Sequence, residues 1–158
     1  MPSVDETPEA IIYEEAKRGI AVQTATLDEL RSRTGLLLAA ASVTASFLAA
    51  QAAEDPGIGC LGVLAIVAFA VAVGACLYVL WPRKDGWVFV VSPKILAEDW
   101  IDTEREGGTR AMQRFVALKL EEHHDRNKLK LDRLFRAFQL AAIATGAEVI
   151  LWTLQLSS

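Results

Sequence analysis

Residues 35–53 read GLLLAAASVTASFLAAQAA and residues 60–81 read CLGVLAIVAFAVAVGACLYVLW. Neither run contains a charge, and they are 19 and 22 residues long. At 1.5 Å per residue, a helix of that length crosses a hydrocarbon core of roughly 30 Å. Between them lies EDPGIG, residues 54–59. Two carboxylates, a proline and two glycines are turn chemistry. The pattern predicts a helical hairpin in a bilayer.

The rest of the chain is organised around that hairpin. Of 158 residues, 53% are hydrophobic and 23% charged, a balance that by itself would suit a soluble protein. The charges, however, avoid three windows: the two above and 137–156, where Glu148 is the one exception. The expected fold class is therefore an all-α integral membrane protein with three transmembrane helices, 35–53, 60–81 and 137–156. A flexible N-terminus, 1–7, precedes a single membrane domain, 8–156. A net charge of −4 argues against a nucleic-acid partner. The acidic start, Met1 to Glu6, and the late first apolar run lead us to expect no cleaved signal peptide. Cys60 and Cys76 are separated by about 24 Å of helix and cannot pair with each other.

All 16 Lys and Arg lie before the first apolar run or between Trp81 and Ala137. The positive-inside rule then places the N-terminus and 82–134 in the cytoplasm and the C-terminus outside. Arg31, Arg33, Trp81, Arg83, Arg133 and Arg136 are the expected anchors at the membrane interface, where cations meet anionic lipid and Trp sits at headgroup level.

Thr7 followed by Pro8 is a helix start. Ile12, Ala16, Ile20, Gln23, Leu27 and Leu30 then follow at spacings of four and three, a heptad-like stripe. With no breaker before the first span, one helix is expected from 8 to 53. Beyond Trp81-Pro82, residues 86–91 form a short β-prone run, and Ser92-Pro93 opens a short helix to about Thr103. Gly107-Gly108 breaks the chain. A second long helix is expected from Thr109 to Leu156, with Ala117, Leu120, His124, Asn127, Leu131, Leu134 and Phe138 on its stripe. The first and third membrane helices would thus continue into long parallel cytoplasmic helices, 8–34 and the last part of 82–134, forming a stalk roughly 35–40 Å long.

Within the spans, small residues recur four apart. Ala41 and Ala45, Ala70 and Gly74, and Ala142 and Gly146 are expected helix-packing positions, because lipid supplies no hydrophobic drive for association and close backbone approach must replace it. Such faces serve packing within one chain, between copies, or both. Glu148 is the most informative residue. A carboxylate in a span costs on the order of 2.5–3.5 kcal/mol, so it is expected to face the bundle interior or a water-filled space, or to be protonated. It is either a pore-lining group or a buried contact, with Ser42, Thr44 or Ser46 as partners. His124 and Asn127 are expected to set register as a polar seam in the stalk. Adjacent His123 and His124 point about 100° apart, which does not make a helical metal pair. No nucleophile elbow, phosphate loop, metal cluster or carboxylate pair is legible, so neither enzyme activity nor a cofactor is expected.

The layout resembles small transmembrane effectors of bacterial anti-phage systems, the Pycsar transmembrane effectors and the related SLATT membrane domains. The resemblance rests on the entry into the first span, Leu30-Arg31-Ser32-Arg33-Thr34-Gly35-Leu36-Leu37, the tight hairpin, the Trp81-Pro82-Arg83 exit and the long cytoplasmic helix leading to a further apolar segment. A third span departs from the two-span pattern of that family. The resemblance implies a signal-triggered protein of the bacterial inner membrane that forms a homo-oligomer and disrupts the bilayer, with a cyclic nucleotide or a nucleotide-signalling protein as partner. The competing reading is a membrane anchor whose stalk docks a partner protein.

The charge asymmetry fixes a test of topology. A cysteine at Ser157 should react with an impermeant maleimide in intact cells, and one at Gly107 should react only after lysis. Labelling of both from the same side would contradict three spans.

Overall fold

The computed structural model describes residues 7–52, 59–81, 87, 89, 91, 92, 94 and 108–157. Its elements are α1 (Pro8–Ala52), α2 (Cys60–Leu80) and α3 (Gly108–Ser157). Each end has a local cause. Pro8 supplies the first helical residue, and Thr7 Oγ1 accepts a hydrogen bond from the Ala10 amide at 3.3 Å. Gly108 opens α3 at φ 59°, a left-handed conformation that costs glycine little. The Trp81 amide closes α2 on the Leu77 carbonyl at 2.8 Å, just before Pro82 removes the next donor.

The chain divides into two compact units, 1–27 with 83–131 and 28–82 with 132–158. Both α1 and α3 run through the two boundaries, which fall at 27/28 and 131/132.

In the first unit α1 and α3 lie parallel. Ile20, Leu120 and Val91 form its buried cluster, with Tyr13, Ala16, Phe89 and Val116 packed against it. Gln23 Nε2 donates to the His124 carbonyl at 2.8 Å, tying the helices where the apolar stripe is interrupted. The expected stripe is buried from Ile20 through Gln23 to Leu27, but Ile12 is exposed. The β-prone run supplies Phe89 and Val91 to this core, and Trp87 stacks on Phe89 with ring centroids 5.7 Å apart. The short helix expected at 92–103 lies outside the described residues apart from Ser92 and Lys94. Exposed ion pairs join Lys17 to Glu14, Arg18 to Glu15, and Glu122 to both Lys119 and Arg126. They support single helices rather than the packing between them.

In the second unit α2 runs antiparallel to α1 and α3. Ala75 and Cys76 meet Ala141 with Leu37 and Leu38 alongside, and at the opposite end Gly62 meets Gln155. The buried apolar residues are mostly small, Ala41, Ala65, Ala72, Ala75, Cys76, Ala141 and Ala144, joined by Leu30, Val79, Leu134 and Trp152. What faces outward is large and apolar: Leu36, Val43, Val63, Leu64, Ile66, Val67, Leu77, Leu140, Ile143, Ile150 and Leu154 are all exposed. In a protein packed against water most large apolar side chains fill the interior; here more of them face outward than are buried. Among the described residues, two helices, Cys60–Leu80 and Gly108–Ser157, are long and apolar enough to cross a membrane. The remaining expected span, 35–53, is helical through Ala52, with residues 47–49 and 51–53 contributing no described side chains.

Candidate functional site

The face that α3 turns inward in the second unit carries Ala141, Ala144, Glu148 and Trp152, at spacings of three, four and four. All four are buried, and Glu148 is 0% exposed. Ser42, Ala45 and Ser46 of α1, Ile66 and Phe69 of α2, and Glu148 and Trp152 of α3 line one cleft of about 310 Å³. Both Glu148 carboxylate oxygens are buried without a hydrogen-bond partner among the described residues.

The expected contact to a span hydroxyl is therefore not made. Ser42 Oγ donates to the Leu38 carbonyl at 2.8 Å, Thr44 Oγ1 to the Ala40 carbonyl at 3.0 Å, and Ser46 Oγ to the Ser42 carbonyl at 2.8 Å. Short hydroxyl side chains in a helix reach their own backbone four residues back, and in these three residues that reach uses the one proton each hydroxyl has. The carboxylate oxygens of Glu148 and the hydroxyl oxygens of Ser42 and Ser46 consequently stand as acceptors, while Trp152, which lines the same cleft, carries an indole N–H donor.

A second polar contact was missed by the sequence reading. Gln155 Oε1 accepts from the Gly62 amide at 3.2 Å. Gly59, which caps α2, offers no side chain to its first amides, and α3 caps it from outside. Gly59 also sits against Gln155, where an added Cβ would stand 2.7 Å from Oε1. The available signal was an amide, Gln155, placed near the end of its apolar run that lies on the same side as the glycine-containing connector.

The expected packing positions divide into two groups. Ala41 is buried and Ala45 lines the cleft. Ala70, Gly74, Ala142 and Gly146 are exposed, and a Cβ at Gly74 or Gly146 would meet nothing within 4 Å. Within the chain, α2 packs instead through Ala65, Ala72, Ala75 and Cys76. Residues two apart on a helix point about 200° away from each other, so burying Ala72 turns Ala70 and Gly74 outward.

Of the interface anchors, Trp81, Arg133 and Arg136 are exposed, and Arg33 is exposed and paired with Glu29. Arg31 is half-buried, with its Nε enclosed and unpartnered. Arg83 lies outside the described residues. In the other unit, Asn127 is fully buried. His124 is half-buried, with its ring beside Gly19, where a Cβ would stand 3.5 Å from Nδ1. The two residues do occupy the inner stripe. A groove of about 430 Å³ beside them is lined by Ile11, Ile12, Ala16 and Leu118, and its charged residues are Glu15 and Glu121. Acidic walls of this kind repel a phosphate.

Compared with known protein families, with curated proteins and with solved structures, the chain matches none.

The lack of a hydrogen-bond partner for Glu148 among the described residues sets the response to substitution. Glu148→Gln keeps the shape, adds an amide donor beside the hydroxyl oxygens of Ser42 and Ser46 and avoids burying a carboxyl group, so the second unit should gain about 1 kcal/mol. Glu148→Leu leaves no partner unpaired within the chain and should be tolerated to within about 1 kcal/mol. Unfolding of the three proteins in mixed micelles measures both. A loss of several kcal/mol in either variant would show that Glu148 has a buried partner.

Proposed function

We propose that this chain is a three-span effector of the bacterial inner membrane, which assembles with further copies and permeabilises the bilayer in anti-phage defence. The observation that carries the reading is Glu148, a carboxylate fully enclosed in a bundle of small residues with no hydrogen bond to its oxygens. Such a group weakens the fold that holds it. Its presence is explained by a role in an opened, hydrated assembly, where the same carboxylate lines a path for ions.

Three further features support the reading. The outer surface of the second unit is large and apolar, which suits lipid rather than water. Ala70, Gly74, Ala142 and Gly146 leave low ridges on that surface, where the helices of another copy can approach closely. The basic residues lie on one side of the apolar runs, which puts the first unit and the N-terminus in the cytoplasm and the C-terminus outside. In that arrangement the parallel helices of the first unit receive the signal. A nucleotide-signalling protein suits them better than a free nucleotide, given the acidic groove. The same groove, with Ile11, Ile12 and Leu118 exposed around it, favours the second reading, a membrane anchor whose cytoplasmic helices dock a partner.

The two readings part in cells. Wild type expressed at high level should depolarise the inner membrane and release a small dye. Glu148→Gln, at matched membrane abundance, should reduce the leak at least ten-fold. Equal leakage from both proteins would remove Glu148 from the path. Absence of leakage from wild type, with the protein inserted, would leave the anchor.

A further inference from the structure

The cleft around Glu148 has the make-up of a binding site as well as that of a path. Its walls are apolar and partly aromatic, from Ile66, Phe69 and Trp152. Its polar groups are the Glu148 carboxyl, the indole N–H of Trp152 and the hydroxyls of Ser42 and Ser46, and both hydroxyl protons are donated to backbone carbonyls. Among the described residues that line it, none carries a positive charge. A ligand that suits such a cleft brings a hydrogen-bond donor or a positive charge to the carboxyl, and an anion is disfavoured there.

Volume and lining narrow the choice of cation. A bare metal ion draws its stability from about six oxygen ligands, whereas most of the residues here present carbon. At about 310 Å³ the cleft lies at the small end of pockets that take organic molecules. Aromatic faces attract an alkylammonium group through their quadrupole, and the effect grows as water is excluded. Glu148 stands among such groups, and its carboxyl has no hydrogen-bond partner among the described residues.

We propose that the cleft formed by Ser42, Ser46, Phe69, Glu148 and Trp152 binds a lipophilic organic cation, an ammonium with an aromatic or alkyl body. The carboxylate neutralises the charged head while Trp152 and Phe69 hold the body. The site is independent of ion conduction: a bundle that never leaks still presents it. Ile66, which lines the cleft, is exposed on the apolar outer face of α2, so the ligand enters from the lipid and not from the aqueous phase. In the assembled effector, the same cation would compete with whatever Glu148 conducts.

The test uses the full-length protein in lipid nanodiscs and two probes of one shape, phenyltrimethylammonium and its neutral isostere tert-butylbenzene, followed by saturation-transfer NMR. Phenyltrimethylammonium should bind wild type, and Glu148→Gln should weaken it at least ten-fold. Glu148→Asp, which keeps the charge, should retain most of the affinity. tert-Butylbenzene should bind wild type and Glu148→Gln alike, which also reports that the cleft is intact in the variant. Equal affinity of the ammonium for wild type and Glu148→Gln overturns the proposal, as does the same preference for wild type shown by the neutral probe. Displacement of the ammonium by K⁺ or Na⁺ at physiological salt would assign the site to an inorganic ion and overturn it as well. None of these outcomes depends on leakage, so the site and the permeabilising activity fail separately.

Discussion

A carboxyl group enclosed by apolar side chains stays ionised only if something answers its charge, and otherwise holds a proton. Glu148 sits at 0% exposure and finds no hydrogen bond among the described residues. Every other feature of the second unit makes that burial harder to relieve. The neighbouring hydroxyls are turned back on their own helices, and among the described residues no cation lines the cleft. The small side chains of Ser42, Ala45 and Ser46 on α1 leave part of the hollow that the carboxyl borders. Removing the charge should stabilise the bundle, so Glu148 is better understood through what it meets outside the single chain: ions, a ligand or another copy.

The two units are held together by different physics. The first has an ordinary apolar core around Ile20, Val91 and Leu120, a hydrogen bond between helices from Gln23, and a coat of ion pairs within helices. The Glu122 carboxyl in that coat is held below its ordinary value, first by its hydrogen bond from Lys119 and then by the charges of Lys119 and Arg126. A carboxyl lowered in the folded state contributes stability above its unfolded pKa, and that contribution fades as the pH falls through the folded value. The pair is solvent-exposed, so the contribution is small. The second unit buries Leu30, Val79, Leu134 and Trp152, and along α2 Ala65, Ala72, Ala75 and Cys76 add close backbone contact and dispersion.

Much of this fold is legible in the residues, because helix ends and charge-free runs are local properties. Thr7-Pro8, Gly107-Gly108 and Trp81-Pro82 mark helix ends, and the observed bounds of α1, α2 and α3 lie within a residue or two of those expected. Rotation of each helix about its axis is not local. Two ladders of small residues run along α2, and only the shape of α1 and α3 decides that Ala72 and Cys76 turn inward while Ala70 and Gly74 turn out. The same limit applies to the candidate site. Glu148 stands out as the lone charge of its apolar run, but the back-bonding of Ser42 and Ser46 needs three-dimensional geometry. So does the cap that Gln155 places on α2, since nothing near Gly59 in sequence announces a partner about ninety residues away.

The central claim is that α3 lies in a bilayer with its Glu148 face turned into a helix bundle. Nitroxide labels placed one at a time along 137–156, in liposomes, test it through collisions with oxygen and with a water-soluble nickel chelate. Positions 143, 150 and 154, exposed on the apolar side, should be open to oxygen and closed to nickel. Positions 141, 144, 148 and 152, buried on the inner stripe, should be closed to both, giving a helical period in the oxygen signal. Nickel reaching 143 and 150 as freely as an aqueous loop, or an oxygen signal without that period, would contradict the account.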